Sequence, residues 1–217
     1  MLVYLARTKK IGTMFSAHTD GAKKLRAYAD AHWTTTRSTT GFVIMPAGGA
    51  IAHASRRQHC ISMSTCKAEL IALADCSIKL LYIIGLLWFL GHEIDEAIEV
   101  YTDNKAVYDL CHRFNSAQEL RHINRKLFKM RKLRGLGVIT VAHVPTAENP
   151  ADLFTKVLDK QPFDERRKFV HTTSRATLAL TTRAMPSRSS GARRPGLRRG
   201  PISNSIVVVV VVGRSWS

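Results

Sequence analysis

Residues 66–90 form one long apolar stretch in which Leu70, Leu73, Leu80, Ile84 and Leu87 recur at helical spacing. A helix with such a face has to bury it, and the flanking sequence supplies the partner. Three strand-like runs precede it: residues 25–32, residues 41–45, and a third over 50–55 and 58–62, bent at Arg56-Arg57. The polar segment 33–40 and the turn Pro46-Ala47-Gly48-Gly49 join them, which reads as an antiparallel meander. Ser64 or Thr65 is placed to cap the helix. After it come a strand at 98–102, a helix at 105–112, a basic helix at 121–134, a strand at 138–144 and a short helix after Pro150. This order predicts an α/β fold, a mixed five-stranded sheet with helices on its faces.

The most apolar part of the long stretch, residues 80–91, is a dozen residues. That is short of the roughly 20 a membrane span needs, so a core helix and no membrane partner are expected. The first apolar run, Met1 to Ala6, is too short for a secretory leader before Arg7 and Lys9. The four cysteines, Cys60, Cys66, Cys76 and Cys111, form no CxxC pair. Free thiols in a reducing compartment are expected, and an intracellular chain, cytoplasmic or nuclear rather than secreted.

The formal net charge is +17, with 33 Lys plus Arg against 16 Asp plus Glu. Eight arginines, and neither lysine nor acid, lie in residues 171–217, so the rest of the chain is basic without them. A balance of this kind favours a polyanionic partner through phosphate neutralisation. Residues 171–217 are rich in Ser, Thr, Arg, Pro and Gly and end in Ile206 and six valines, 207–212. They are read as a low-complexity basic tail, disordered or foreign to the domain, whose valine run is an aggregation hazard. Residues 1–24 read as the remnant of a preceding segment, leaving residues 25–170 as the domain.

Against this basic background four carboxylates stand in recurring contexts. Asp30 follows the first strand pattern, Glu69 lies early in the long helix, Asp103 closes the strand 98–102, and Asp152 follows the last strand in Asn149-Pro150-Ala151-Asp152. A lone Asp at a strand end is usually a turn or cap residue, and a Glu near a helix start usually favours the macrodipole. Together, acids converging from different strands make an oxygen cage for a hard divalent cation. Two such ions, about 3.5–4 Å apart, serve phosphodiester hydrolysis by activating water and stabilising the leaving oxygen.

The surroundings of these acids resemble a family. Tyr28-Ala29-Asp30-Ala31-His32-Trp33 is similar to the Y-x-D-A-D-W segment of the ribonuclease H domain in copia-type retrotransposon polyproteins. The resemblance continues through Arg37-Ser38-Thr39-Thr40-Gly41-Phe42-Val43, Gly48-Gly49-Ala50-Ile51, Ser55-Arg56-Arg57-Gln58 and Ser64-Thr65-Cys66-Lys67-Ala68-Glu69-Leu70. It includes Tyr101-Thr102-Asp103-Asn104-Lys105-Ala106, Arg121-His122-Ile123-Asn124, and Val144-Pro145-Thr146 through Ala151-Asp152-Leu153-Phe154-Thr155-Lys156. It spans residues 3–170. It implies an RNase H-like fold and cleavage of the RNA strand of RNA–DNA hybrids with two Mg2+ or Mn2+ ions, leaving 3′-hydroxyl and 5′-phosphate ends. Asp30, Glu69, Asp103 and Asp152 take the places of the family's catalytic, metal-binding acids, and a reverse transcriptase is expected upstream in a parent polyprotein.

The chain departs from the family at His32, where a second Asp is usual, at Cys66-Lys67 in place of Thr-Glu, and at Asn124 in place of Asp. His32 and Lys67 are expected to add positive charge near the acids. His122 is a candidate auxiliary for proton transfer or product release, and as a surface or phosphate-contacting residue it has a plainer explanation. His143 reads as structural. Arg56, Arg57, Arg121, Arg125, Lys126 and Lys129 are candidates for nucleic-acid contact, against the alternative of a solvated helix face. Two other functions stand beside the nuclease. One is a degenerate remnant that binds nucleic acid without turnover. The other is an integrase-like domain, disfavoured because such sites rest on three acids in D-D-E order.

Overall fold

The computed structural model describes Thr13 and residues 25–46, 49–112 and 124–170. Residues 1–12, 14–24 and 171–217, and with them the expectations of an upstream remnant and a basic tail, lie outside the described residues, as do Arg121 and His122. The element order is β1 (Arg26–His32), β2 (Thr39–Met45), β3 (Ala52–Arg57), α1 (Thr65–Phe89), β4 (Ile98–Thr102), α2 (Lys105–His112), α3 (Asn124–Gly135), β5 (Ile139–His143) and α4 (Lys160–Val170). Two 3₁₀ segments, Thr146–Glu148 and Pro150–Phe154, stand between β5 and α4. The five strands form one mixed sheet in the order β3-β2-β1-β4-β5. The meander β1-β2-β3 is antiparallel, and β4 and β5 are parallel to β1.

The alternation of strand side chains divides the core in two. Ala27, Ala29 and Ala31 of β1 share a cluster with Leu70, Leu73 and Leu80 of α1, Val107 of α2, and Leu127 and Met130 of α3. The three alanines carry little bulk, so α1 can lie close against the central strand. The other face of the sheet presents Val43 and Met45, which pack with Val170 of α4 and with Leu153 and Phe154 of the second 3₁₀ segment.

The Ser64 hydroxyl caps α1 by accepting from the Lys67 amide at 3.2 Å. Gly91, at φ 81°, ends it, with the His92 amide donating to the Leu87 carbonyl at 2.9 Å. This helix has 25 residues and is long and apolar enough to cross a membrane, which the narrower count over residues 80–91 does not register. Half of its most apolar window is buried inside the fold. The half that is not leaves Tyr82, Trp88 and Phe89 exposed.

Two sequence expectations are corrected. The third strand runs unbent through Arg56-Arg57 and stops there, so residues 58–62 are not part of it. Gln58 turns inward instead, where it is 3% exposed. Its amide nitrogen donates to Thr40 Oγ1 at 3.1 Å and to the Ala68 carbonyl at 2.9 Å, and its amide oxygen accepts from Ser62 Oγ at 2.8 Å. The short helix after Pro150 is a 3₁₀ segment, and the α-helix comes later, as α4. Its charged run Asp164-Glu165-Arg166-Arg167-Lys168 masks the apolar periodicity by which a helix is read from sequence.

Gln58 thus ties the end of the meander to the turn of α1 that precedes Glu69. Replacing it by leucine leaves the Ala68 carbonyl and the Ser62 hydroxyl without this partner inside the core. The Gln58→Leu variant is expected to lose about 2–3 kcal/mol of stability in urea unfolding.

Candidate metal centre

The register of the parallel pair β1–β4 sets the site. Tyr28 lies beside Tyr101 and Ala29 beside Thr102, so the next residues in each strand direction are Asp30 and Asp103. Side chains alternate, which puts both acids on the face where Tyr28 and Tyr101 stack with ring centroids 4.7 Å apart. Glu69, from the second turn of α1, meets them at the ends of these strands and accepts a hydrogen bond from the Ala31 backbone. One carboxylate oxygen from each of Asp30, Glu69 and Asp103 lies within 4.8 Å of the others. Asp30 and Glu69 are buried and Asp103 is half-buried.

Asp152 lies beside this trio, outside its 4.8 Å group but close enough for its charge to act on Asp30. Its Oδ1 is 2.6 Å from Lys156 Nζ and its Oδ2 is 3.0 Å from Arg166 Nη2. The same Lys156 ammonium lies 3.4 Å from Asp30 Oδ1, so it bridges the two acids. The hydroxyl of Thr155 donates to the other oxygen of Asp30. The loop that delivers these groups is anchored by Asn149, which is fully buried and donates from Nδ2 to the Ala29 carbonyl at 3.1 Å. Arg166 closes the same loop from α4, donating to the carbonyls of Asn149 and Thr146 at 3.3 and 3.2 Å. Thr155, Lys156 and Arg166 are absent from the sequence-derived site. The four-residue interval between Asp152 and Lys156 is the one local signal for an ion pair there.

Close approach of this loop depends on Gly41, the residue opposite Asp30 on β2. A Cβ at that position would stand 2.5 Å from the Thr155 methyl and 3.0 Å from the Ala151 carbonyl oxygen. No rotamer change moves the backbone oxygen, so any side chain pushes the loop off the sheet.

Like charges gathered out of water shift their titration. Burial raises Asp30 above the usual carboxylate range, as do Asp152 and Asp103, against the Thr155 hydrogen bond and the Lys156 charge. Glu69 is pushed up to about 9, first by burial and then by Asp30 and Asp103. Burial draws Lys156 down, but its bond to Asp152 and the charges of Asp30, Asp152 and Asp103 outweigh that and leave it raised. Glu69 Oε2 is buried with no hydrogen-bond partner among the described residues. An orphaned carboxylate oxygen facing two more acids fits a hard divalent cation, which prefers oxygen ligands.

Of the departures from the family pattern, Cys66 feels the site: burial, and then the Glu69 charge, raise its thiol. His32 is exposed and Lys67 half-buried, and neither is among the principal charges acting on Asp30 or Glu69. The basic candidates divide. Arg56 and Lys126 both pair with Asp75 of α1, at 3.3 and 3.0 Å. Arg131 and Arg134, from the same basic helix, donate to the carbonyls of Leu110 and Cys111 at the end of α2. Arg57, Arg125 and Lys129 are exposed. His143 serves a structural role, its Nε2 lying 3.1 Å from the Asp103 carbonyl. All four cysteines are free.

Two predictions follow from this geometry. Gly41→Ala is expected to cost about 1–3 kcal/mol in urea unfolding, because the Asp152 loop has to shift. The second concerns pH. In the unfolded, cation-free chain Glu69 ionises near 4.5, whereas the folded chain holds its proton to about 9. Its contribution to stability is therefore full below 4.5 and is lost as pH rises towards 9. Thermal unfolding in EDTA is expected to fall across that window, and Glu69→Gln to flatten the fall. Equal slopes for the two proteins would contradict this.

No family model matches the chain. It is 29% identical over 150 residues to the retrovirus-related Pol polyprotein from transposon TNT 1-94 of Nicotiana tabacum, covering 67% of this chain and 11% of the polyprotein. A second relative, the Pol polyprotein from transposon RE2 of Arabidopsis thaliana, is 29% identical over 167 residues, 75% of this chain and 11% of that protein. The chain thus spans about a tenth of the length of these relatives. Among solved structures it is similar to LC11-RNase H1 isolated from compost, with TM-score 0.50 and 19% identity over 66% of this chain and 97% of that one. The chain is thus similar to the Pol polyproteins of copia-type transposons, and its fold is that of ribonuclease H.

Proposed function

We propose that the chain is a divalent-metal-dependent nuclease that hydrolyses the RNA strand of RNA–DNA hybrids. An RNase H-like function is supported by the fold and by the Pol homologues. The observation that carries the finer reading is the convergence of Asp30, Glu69 and Asp103, with one oxygen of Glu69 left without a partner among the described residues.

In this reading Asp30, Glu69 and Asp103 hold the cation, and Asp152 stands next to them across Lys156. Bound Mg2+ or Mn2+, two ions in the full reaction, supplies an activated water and a counter-charge for the leaving oxygen. The chain's own residues orient and neutralise. The Thr155 hydroxyl fixes the Asp30 carboxylate, and Asn149 and Arg166 hold the loop that carries Asp152. The exposed Arg57, Arg125 and Lys129 are the cations best placed for a phosphate backbone, since Arg56 and Lys126 are engaged with Asp75. Contact by Arg121 and an auxiliary role for His122 belong to the same proposal. So do an upstream reverse transcriptase in a parent polyprotein and an intracellular, membrane-free setting.

One observation favours the rival reading, a remnant that binds nucleic acid without turnover: the ammonium of Lys156 sits between two of the four acids. Cleavage assays separate the two. The full chain is expected to cut a labelled RNA–DNA hybrid with Mg2+ or Mn2+, and Asp103→Asn, at matched circular dichroism, to lose on the order of a hundredfold or more. Hybrid binding with equal, background cleavage by both proteins would establish the remnant.

A further inference from the structure

Lys156 is the best-connected cation of the site, and the family pattern of acids assigns it no task. Its side chain is 31% exposed, whereas those of Asp30 and Asp152 are 1% and 2% exposed. Its Nζ therefore enters an otherwise buried pair of carboxylates from the solvent side. The arrangement gives Asp30 two flanks. On one, its carboxylate joins Glu69 and Asp103 in the trio whose oxygens lie within 4.8 Å of one another. On the other, its Oδ1 and Asp152 Oδ1 share the ammonium at 3.4 and 2.6 Å.

The two flanks differ in what they lack. The trio contains an orphaned oxygen, Glu69 Oε2, and no cation in hydrogen-bond contact with Glu69 is found among the described residues. On the Asp152 flank both carboxylate oxygens are engaged, one by Lys156 and one by Arg166. A divalent ion seated between Asp30 and Asp152 would have to share the space and the ligand oxygens of the ammonium, and two cations at such range repel. In the trio Lys156 directly contacts Asp30 alone, and Glu69 keeps an oxygen with no partner among the described residues, so the obstacle there is smaller.

We propose that Lys156 is a built-in cation that holds the position between Asp30 and Asp152. The chain then binds a single divalent ion at Asp30, Glu69 and Asp103, and admits a second only when the lysine withdraws. Lys156 is a positioning residue in this role, governing cation occupancy without touching substrate. The inference rests on the metal-dependent reading above. It also accounts for the feature that favours a remnant, because withdrawal of a partly exposed lysine needs no rearrangement of the sheet.

Mn2+ binding to the full chain, followed by electron paramagnetic resonance of the free ion, tests this without recourse to activity. Wild type is expected to bind one ion per chain at sub-millimolar Mn2+, and Lys156→Met to bind two. Lys156→Arg, which keeps the charge, is expected to stay at one. If Lys156→Met does not fold, Lys156→Gln, which is uncharged and can still donate to Asp152, is read in the same way. Two ions in wild type, or one in both wild type and the uncharged variant, would overturn the role of Lys156 while leaving the metal centre intact. No binding to any of these proteins would overturn the metal-dependent reading itself.

Discussion

Parallel pairing of β1 with β4 is the constraint on which the rest of the site depends. The register that sets Ala29 beside Thr102 brings Asp30 and Asp103 abreast on one face, at the strand ends. A slip of a single residue would turn one of them to the opposite face and dissolve the pair. The register is held from both sides. Ile98 and Val100 alternate into the core with Ala27 and Ala29, and Tyr28 stacks on Tyr101 across the other face. The same alternation that buries the apolar residues therefore aims the acids. Strand periodicity and site geometry are one property of the sequence rather than two.

Placing acids together out of water carries an electrostatic cost, and the chain meets it in two ways. On the Asp152 side it brings cations, Lys156 and Arg166, each in direct contact with the carboxylate. On the Glu69 side no cation among the described residues makes direct contact, and burial, with Asp30 and Asp103, raises Glu69 far above the ordinary range against the charge of Lys156. This asymmetry occurs in a chain with abundant positive charge, so supply is not the limit. Placement is. Arg56 and Lys126 converge on Asp75 and join the meander, α1 and α3 into one body. Arg131 and Arg134 cover the carbonyl end of α2, where a positive charge complements the helix dipole. The remaining basic groups of this helix face solvent.

Much of this was legible from sequence, for a physical reason. Alternation in 26–32 and 98–102, and helical spacing through Leu70, Leu73 and Leu80, are local patterns, and they placed Asp30, Glu69 and Asp103 correctly at strand and helix ends. What was not legible depends on long-range pairing. Gln58 reads as part of a strand until Ala68 is known to lie against it. Gly41 reads as one more strand residue until the Thr155 loop is seen to cross above it. Asp152 reads as a fourth equal ligand. Its ion pair with Arg166 emerges only when that residue, fourteen residues on and in a helix with little apolar signal, folds back on it.

That fold-back gives the site a further property. Asn149 reaches the Ala29 carbonyl from 120 residues away in sequence, and Thr155 reaches Asp30 from 125. The acids Asp30, Glu69 and Asp103 all come from the portion of chain before residue 104, whereas the hydroxyl and both cations come from the last described stretch. Repulsion among buried carboxylates opposes their approach, and the segment that relieves it must dock against β1 and β2 to do so. Docking of this segment and neutralisation of Asp30 are consequently one event. Its apolar anchors, Leu153, Phe154 and Val170, pack on the face that carries Tyr28 and Val43. Hydrophobic burial on that face thus drives the delivery of counter-charge to the acids beside it, and the stability of the candidate centre is tied to a packing surface that never touches a ligand.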